Sequence, residues 1–486
     1  MTASPAGSPY LLHRLDALLL SVLVVARLRI DTLAEAAVLP VRQADVARHP
    51  WLGHLLPKPA MDLLAQQGWT DPVGWLLIVA ALGCTLAYLL VSEFVRAERP
   101  RYWARLALIW AIVLLAVCAP SLKLALLRQQ SGPASYSHDG GVIQTEVTID
   151  LLLQGRNPYV ENYLDTPMAE WGKSEFRTAL YHYPYLPWTF LFSAPFKVLA
   201  FAILGWYDQR LVYLLLFILT LLLLPGLALE RMSKLLLVML IGLNPMMGSD
   251  LIFGQNDSFV LAWIVLSLWL WSRSLRPGAA RGWALGSAAV FGLACASKPT
   301  AWFLAPFYLL VLAGNVPASE GSTIEVSRWS RLFGRLGRAW RVGWPMLATA
   351  AIVMGPYVIW NPSAMYDDVW AWSNGTSTTA YQIWGWGASN LVLAFGWVSS
   401  RFAYWPFWIP EVLVCLPLLV ALLWRQIHEN TMARALWGYG IFVLAFFFFS
   451  RFLNENYLGY VLSFLALGTL IGVGGQSLRP EPSMHY

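Results

Sequence analysis

Three carboxylates in one polar stretch are the residues best spaced to do chemistry: Asp139, Glu146 and Asp150 stand seven and four residues apart. On a helix those intervals bring all three near one face. The stretch runs from Ser137-His138-Asp139-Gly140-Gly141 to Gly155-Arg156-Asn157-Pro158-Tyr159, in a chain that is otherwise largely apolar. A carboxylate at the rim of a membrane suits a general base, taking a proton from a hydroxyl as that hydroxyl attacks an electrophilic carbon. Asp139 is the sharpest candidate, because it follows His138 and precedes two glycines that let a substrate approach the backbone. Glu146 and Asp150 divide evenly between such a role and that of solvated loop charges.

Other polar groups recur downstream. Gly254-Gln255-Asn256-Asp257 opens an apolar run, with Asp250 just before it, and Ala296-Ser297-Lys298-Pro299 closes one. Gln255 and Asn256 offer amides to hydroxyl groups, and Asp257 is as well placed to cap the helix that follows it. From Trp360 to Asn390 tryptophans alternate with Gly, Ser, Thr and Asn, a mixture suited to stacking rings or holding lipid headgroups. An interfacial aromatic belt explains those tryptophans equally well, and the triplet Asn374-Gly375-Thr376 is too short to carry weight.

The elements that must position these groups are membrane helices. Of 486 residues 58% are hydrophobic and 12% charged, and the mean hydropathy is +0.55, more apolar surface than a soluble core can hide. Apolar runs long enough to cross about 30 Å of hydrocarbon recur along the chain without the period-2 alternation of barrel strands. The expectation is an all-α polytopic membrane protein with about 12 or 13 spans. The first run, Ala17 to Ala26, reads as an uncleaved anchor; spans follow near Trp75–Val95 and Leu106–Leu127.

The net charge of +6 sits in short loops, so it reports orientation and implies no nucleic-acid partner. Arg96 to Arg101, Arg273 to Arg281, the Arg-rich 328 to 341 and Arg425 to Arg434 are expected in the cytoplasm. The loop 128–183, the segment around Asp250 to Asp257, Lys298, the loop 361–400 and residues 451–457 then share the extracytoplasmic face of the plasma membrane. Pro184 to Leu204 breaks the alternation, and its prolines and Lys197 suggest a re-entrant or tilted helix. Cys84, Cys118, Cys295 and Cys415 lie in apolar stretches with no ligand spacing and read as small core residues.

These motifs, in this order, resemble a family. Asp139, then Gly155-x-Asn157-Pro158-Tyr159, then Tyr183-Pro184-Tyr185-Leu186-Pro187, Gly254-Gln255-Asn256-Asp257 and Ala296-Ser297-Lys298-Pro299 look like the GT-C superfamily of polyprenyl-phosphate-sugar-dependent glycosyltransferases. The nearest likeness is the bacterial mannosyltransferase group that makes phosphatidylinositol mannosides. The resemblance spans about 104 to 310, and Arg451 to Tyr457 adds a later point. It implies N-terminal helices over 1–103, a GT-C-like core over 104–313 with its catalytic loop at 128–183, and C-terminal helices over 314–486.

The resemblance further implies an inverting transfer of mannose or another sugar from a polyprenyl-phosphate donor to a lipid or glycan acceptor. Asp139 matches the first-loop base of that family. The sequence departs from the commoner Asp-Phe pattern, and His138 stands as a rival base or as an orienting partner. A lipid-phosphate leaving group needs fixed cations, for which Lys298 and Arg451 are the candidates, with His182 as a further contact. Snorkelling competes for Lys298, and an internal pair with Glu455 competes for Arg451. Glu146, Gln255, Asn256, Asp257, Glu455 and Tyr159 complete the expected substrate contacts, and no cofactor or obligatory metal is expected, although Asp139, Glu146 and Asp257 are the carboxylates that would hold one. A secondary transporter or flippase of lipid-linked saccharides is the rival class, expected to show internal repeats and polar residues at mid-membrane. A polymerase or ligase acting on a diphosphate-linked glycan is a third reading.

Overall fold

A computed structural model describes residues 9–36, 39–68, 71–137, 139–171, 174–314 and 328–472; His138 lies outside the described residues. The described chain is almost wholly helical, its strand content being a two-residue parallel pairing of Trp384–Gly385 with Phe452–Leu453. Among the described residues six helices are long and apolar enough to cross a membrane: Pro72–Phe94, Glu98–Ser131, Arg210–Leu227, Ala339–Trp360, Trp408–His428 and Met432–Phe449. A seventh span results if Arg231–Gly242 and Pro245–Phe253, bent by 46° to one another, count together.

That is fewer than the 12 or 13 expected. Trp188–Leu204, Gly282–Cys295 and Pro299–Gly314 are apolar but shorter than a full crossing. The second and third expected spans, near Trp75–Val95 and Leu106–Leu127, fall on Pro72–Phe94 and Glu98–Ser131. The stretch 31–72 carries short helices, Leu39–Arg48 and Lys58–Gln66 among them.

Local chemistry sets several boundaries. Asp71 caps Pro72–Phe94 by accepting from Gly74 N at 2.9 Å, with proline in the first turn where its missing N–H costs nothing. The helix Glu98–Ser131 contains a π turn at Leu114–Cys118 just ahead of Pro120, where the proline lacks a backbone donor. Asn244 caps the second arm of the bent pair and donates its amide to Gly459 O at 2.8 Å, tying that bend to the last helix, Glu455–Leu470.

Several charges inside the bundle are paired, as the cost of burying them requires. Asp16 on the first helix pairs with Arg105 and accepts from Tyr88 Oη at 2.8 Å, joining three helices. Lys123 pairs with the capping Asp71. A neutral polar knot made by Ser267, Ser287 and Tyr308 fixes Asp257–Ser274 against Gly282–Cys295 and the helix Ala305–Gly314. These contacts build a frame whose one end carries the polar loops.

Candidate active site

The polar loop does fold into a helix, Gly141–Leu153, but it starts after Asp139 rather than including it. Asp139 N donates to Phe253 O at 3.1 Å, and Asp139 Oδ1 accepts from Gly141 N at 2.7 Å. The carboxylate is thus fixed at the helix's N-terminal end. A side chain at Gly141 would meet Asp139 Oδ1 and Tyr185 Oη, each at 2.8 Å, so the glycine is the gap that lets those two oxygens converge. Gly140 similarly leaves room for Met168 and Trp171. Trp171 Nε1 donates to Ser137 O at 2.8 Å, and Arg210 Nη1 to Tyr136 O at 3.0 Å, bracing the loop before Asp139.

Because the helix begins late, the seven-and-four spacing does not bring the three carboxylates to one site. Glu146 faces away from Asp139 and takes two hydrogen bonds from Arg128, at 2.8 and 2.7 Å. Arg128 also pairs with Asp208 at 3.0 Å, and Asp208 with Arg210 at 2.7 Å. Burial favours neutral Asp208, yet the two guanidiniums hold its carboxyl well below the usual range. Asp150 accepts from Lys197 at 2.5 Å. Lys197 lies midway along Trp188–Leu204, so that short helix packs beside the loop helix. Glu146, expected to bind substrate, belongs instead to this ion network.

Asp139 opens into a cavity of about 1430 Å³. Residues distant in sequence meet there: Gln255, Asn256, Lys298, Arg451, Glu455 and Asn456 all line it. Lys298 Nζ donates to Asp257 Oδ1 at 2.5 Å and to Asn256 Oδ1 at 3.3 Å, and lies 4.9 Å from the centre of the Tyr457 ring. The other Asp257 oxygen accepts from Asn456. Asp257 therefore holds the lysine and does not cap its own helix; Asp250 does that, accepting from Ser258 N at 3.0 Å. Lys298 is drawn inward to this cluster and is 8% exposed, which replaces the snorkelling alternative. The Gln255 side chain makes no hydrogen bond to the described residues and faces the cavity.

Three expected contacts take other roles. Arg451 borders the cavity, but its guanidinium donates to the carbonyls of Tyr381 at 2.6 Å, Ala403 at 3.0 Å and Arg401 at 3.2 Å, and not to Glu455. It lies flat against Gly375, where φ is +84° and any Cβ would strike Nη1. His182 is buried, bonded through Nδ1 to Asp368 at 2.9 Å and through Nε2 to Thr379 at 2.6 Å. It latches the first large loop to residues 367–379 and does not line the cavity. Tyr159 is 3% exposed, donates to Tyr185 O at 2.8 Å and packs on Tyr183, Phe190 and Tyr357, a core position.

Burial pushes the Asp368 carboxyl up to about 6. With Asp367 and His182 it forms a group whose ligand atoms lie within 4.8 Å of one another. Both imidazole nitrogens and both Asp368 oxygens already have protein partners, so the group closes on itself without an ion.

Tyr185 and Glu411 also line the cavity and were given no role from the sequence. Burial, and then the charge of Asp139, hold the Tyr185 phenol well above its ordinary value, so it remains a proton-bearing donor beside the carboxylate. The motif Tyr183-Pro184-Tyr185 was visible, but nothing in it says which tyrosine faces outward. Glu411 did carry a signal: it is an ionisable residue inside an apolar span.

Fold and site together define a multi-pass α-helical membrane protein with a large cavity at the polar end of its helices. The chain matches no family model, no curated protein sequence and no solved structure.

Proposed function

We propose that the chain is a membrane glycosyltransferase, moving a sugar from a polyprenyl-phosphate donor to a hydroxyl of a lipid or glycan acceptor on the extracytoplasmic face. One observation carries the reading: a fixed carboxylate, Asp139, and a buried lysine, Lys298, line the same cavity although 159 residues of sequence separate them. The chemistry needs both. Asp139, held by Gly141 N, takes the acceptor proton as the acceptor oxygen attacks the anomeric carbon. Lys298, oriented by Asp257 and Asn256, neutralises charge growing on the departing phosphate. Tyr185 donates to the attacking or the departing oxygen. Direct displacement inverts the anomeric centre. The amides of Gln255 and Asn256 suit sugar hydroxyls, and the aromatic walls suit a prenyl chain. The fold alone names no function, so the proposal rests on the site.

The test is transfer of radiolabelled sugar from short-chain polyprenyl-phosphate mannose or glucose by the purified chain in detergent, with and without chelator. Transfer that needs Asp139 supports the proposal. Movement of lipid-linked sugar across vesicle membranes, with no transfer to any acceptor, would replace it with the transporter or flippase reading.

A further inference from the structure

The helix Trp408–His428 is the most lipid-facing span: only 6% of its apolar window is buried. Its outward surface is that of an ordinary membrane helix, with Leu413, Leu416 and Val420 each more than half exposed. One residue breaks the pattern. Glu411 stands in the first turns of this span and lines the cavity, and its carboxylate has no hydrogen bond or ion pair among the described residues. A carboxylate in a span is costly, and elsewhere among the described residues several charges inside the bundle are partnered.

Its placement is specific. Glu411 opens a π turn, Glu411–Cys415, ahead of Pro417, and such turns rotate one residue out of the helical register of its neighbours. Helical side chains lean toward the N-terminus, so the carboxylate lies over the turn carrying Phe407 and Trp408. Trp405, Trp408, Trp384 and Trp386 line the same cavity, with Trp386 69% and Trp408 57% exposed. Lys298 lines the cavity too, but it is paired with Asp257 and makes no ion pair with Glu411. Lys298 sits on Tyr457, which stacks on Phe447 at 4.0 Å, and Phe303 packs on Phe446 at 4.6 Å.

The cavity lining therefore carries two chemically unlike groups. A phosphate is drawn to Lys298 and repelled by Glu411. A neutral polyol has the opposite preference, since a carboxylate accepts from two adjacent hydroxyls at once and indole faces cover the apolar face of a pyranose. Resting on the glycosyltransferase reading, we infer that Glu411 and its tryptophans form a second subsite, which binds the hydroxyls of a neutral sugar apart from the phosphate.

The full chain in lipid nanodiscs, titrated with two neutral probes and one charged probe while intrinsic tryptophan fluorescence is followed, tests this. The probes are octyl α-mannoside and octyl β-glucoside, both below micelle concentration, and citronellyl phosphate. Glu411→Gln is expected to weaken at least one glycoside by tenfold or more while citronellyl phosphate binds within twofold of wild type, which also shows that the variant is folded. Glu411→Asp should recover part of the loss, and Lys298→Met should weaken the phosphate alone. Unchanged glycoside binding by Glu411→Gln, equal weakening of all probes, or no glycoside binding by wild type would each overturn the inference. Failure of the catalytic reading looks different: Glu411-dependent glycoside binding in a chain that transfers no sugar from any donor.

Discussion

Replacing Asp139 by asparagine separates a catalytic carboxylate from a structural one. The asparagine oxygen can still accept the 2.7 Å bond from Gly141 N, and the backbone bond to Phe253 O is untouched. Weakening of these two bonds should therefore cost no more than about 1 kcal/mol. What is lost is the proton acceptor. A positioned general base contributes a factor of about 10² to 10⁴, or about 3 to 5.5 kcal/mol of barrier. Initial rates of transfer from a short-chain polyprenyl-phosphate sugar, over a range of acceptor concentrations, should show kcat falling by that factor with KM changed less than about threefold. Glu146→Gln is the companion: it removes a charge from the two-pronged bond with Arg128, and the penalty for disturbing such a buried pair, up to about 3 to 5 kcal/mol, should appear as a lower melting temperature. Transfer by Asp139→Asn within tenfold of wild type refutes the assignment. So does loss of turnover in a Glu146→Gln protein that melts like wild type.

Lys298→Met should cut transfer by about 10² to 10³, and adding Asp257→Asn should recover thermal stability without recovering turnover, because the paired charge is then gone too. Arg451→Lys cannot span three carbonyls with a point charge, so residues 381–403 should loosen at a cost of about 1 to 3 kcal/mol and be cut faster by protease; unchanged cleavage would show the clamp to be dispensable. Asp368 has its pKa raised from 3.8 to about 6, so the stability it supports is full below pH 4 and is lost as pH rises to about 6, by at most about 3 kcal/mol. Melting curves of Asp368→Asn between pH 4 and 7 should lack that slope; an identical slope would place the titration elsewhere. Asp16→Ala strands Arg105 inside the bundle and should lower stability by about 3 to 5 kcal/mol, measured as a fall in melting temperature with no dependence on substrate.

Hydropathy made the membrane class and the early spans legible because a helix in lipid must satisfy its backbone within itself, whatever its neighbours are. The number of spans was less legible. Gly282–Cys295 and Pro299–Gly314 are as apolar as a span, yet both stop short of a full crossing. The same limit applies to side chains. Spacing put Asp139, Glu146 and Asp150 on one face, but the helix start at Gly141 and the reach of Arg128 and Lys197 turned the last two into a structural network. His182 and Arg451 stand out in the sequence as polar residues, but nothing local reveals the partners that hold them, Asp368 and the carbonyls of 381, 401 and 403.

By itself the sequence determined composition-driven properties: a helical, multi-pass membrane protein whose polar groups gather in a few loops. Each follows from short-range chemistry, the cost of placing a residue in hydrocarbon or of starting a helix. Tertiary structure alone decided which of those groups share a cavity and which satisfy one another. Lys298 and Asn456 both meet Asp257, Tyr185 approaches Asp139, and the Glu411 carboxylate pairs with none of the described residues. A buried charge takes whatever partner packing brings within about 3 Å, and packing joins residues with no relation along the chain.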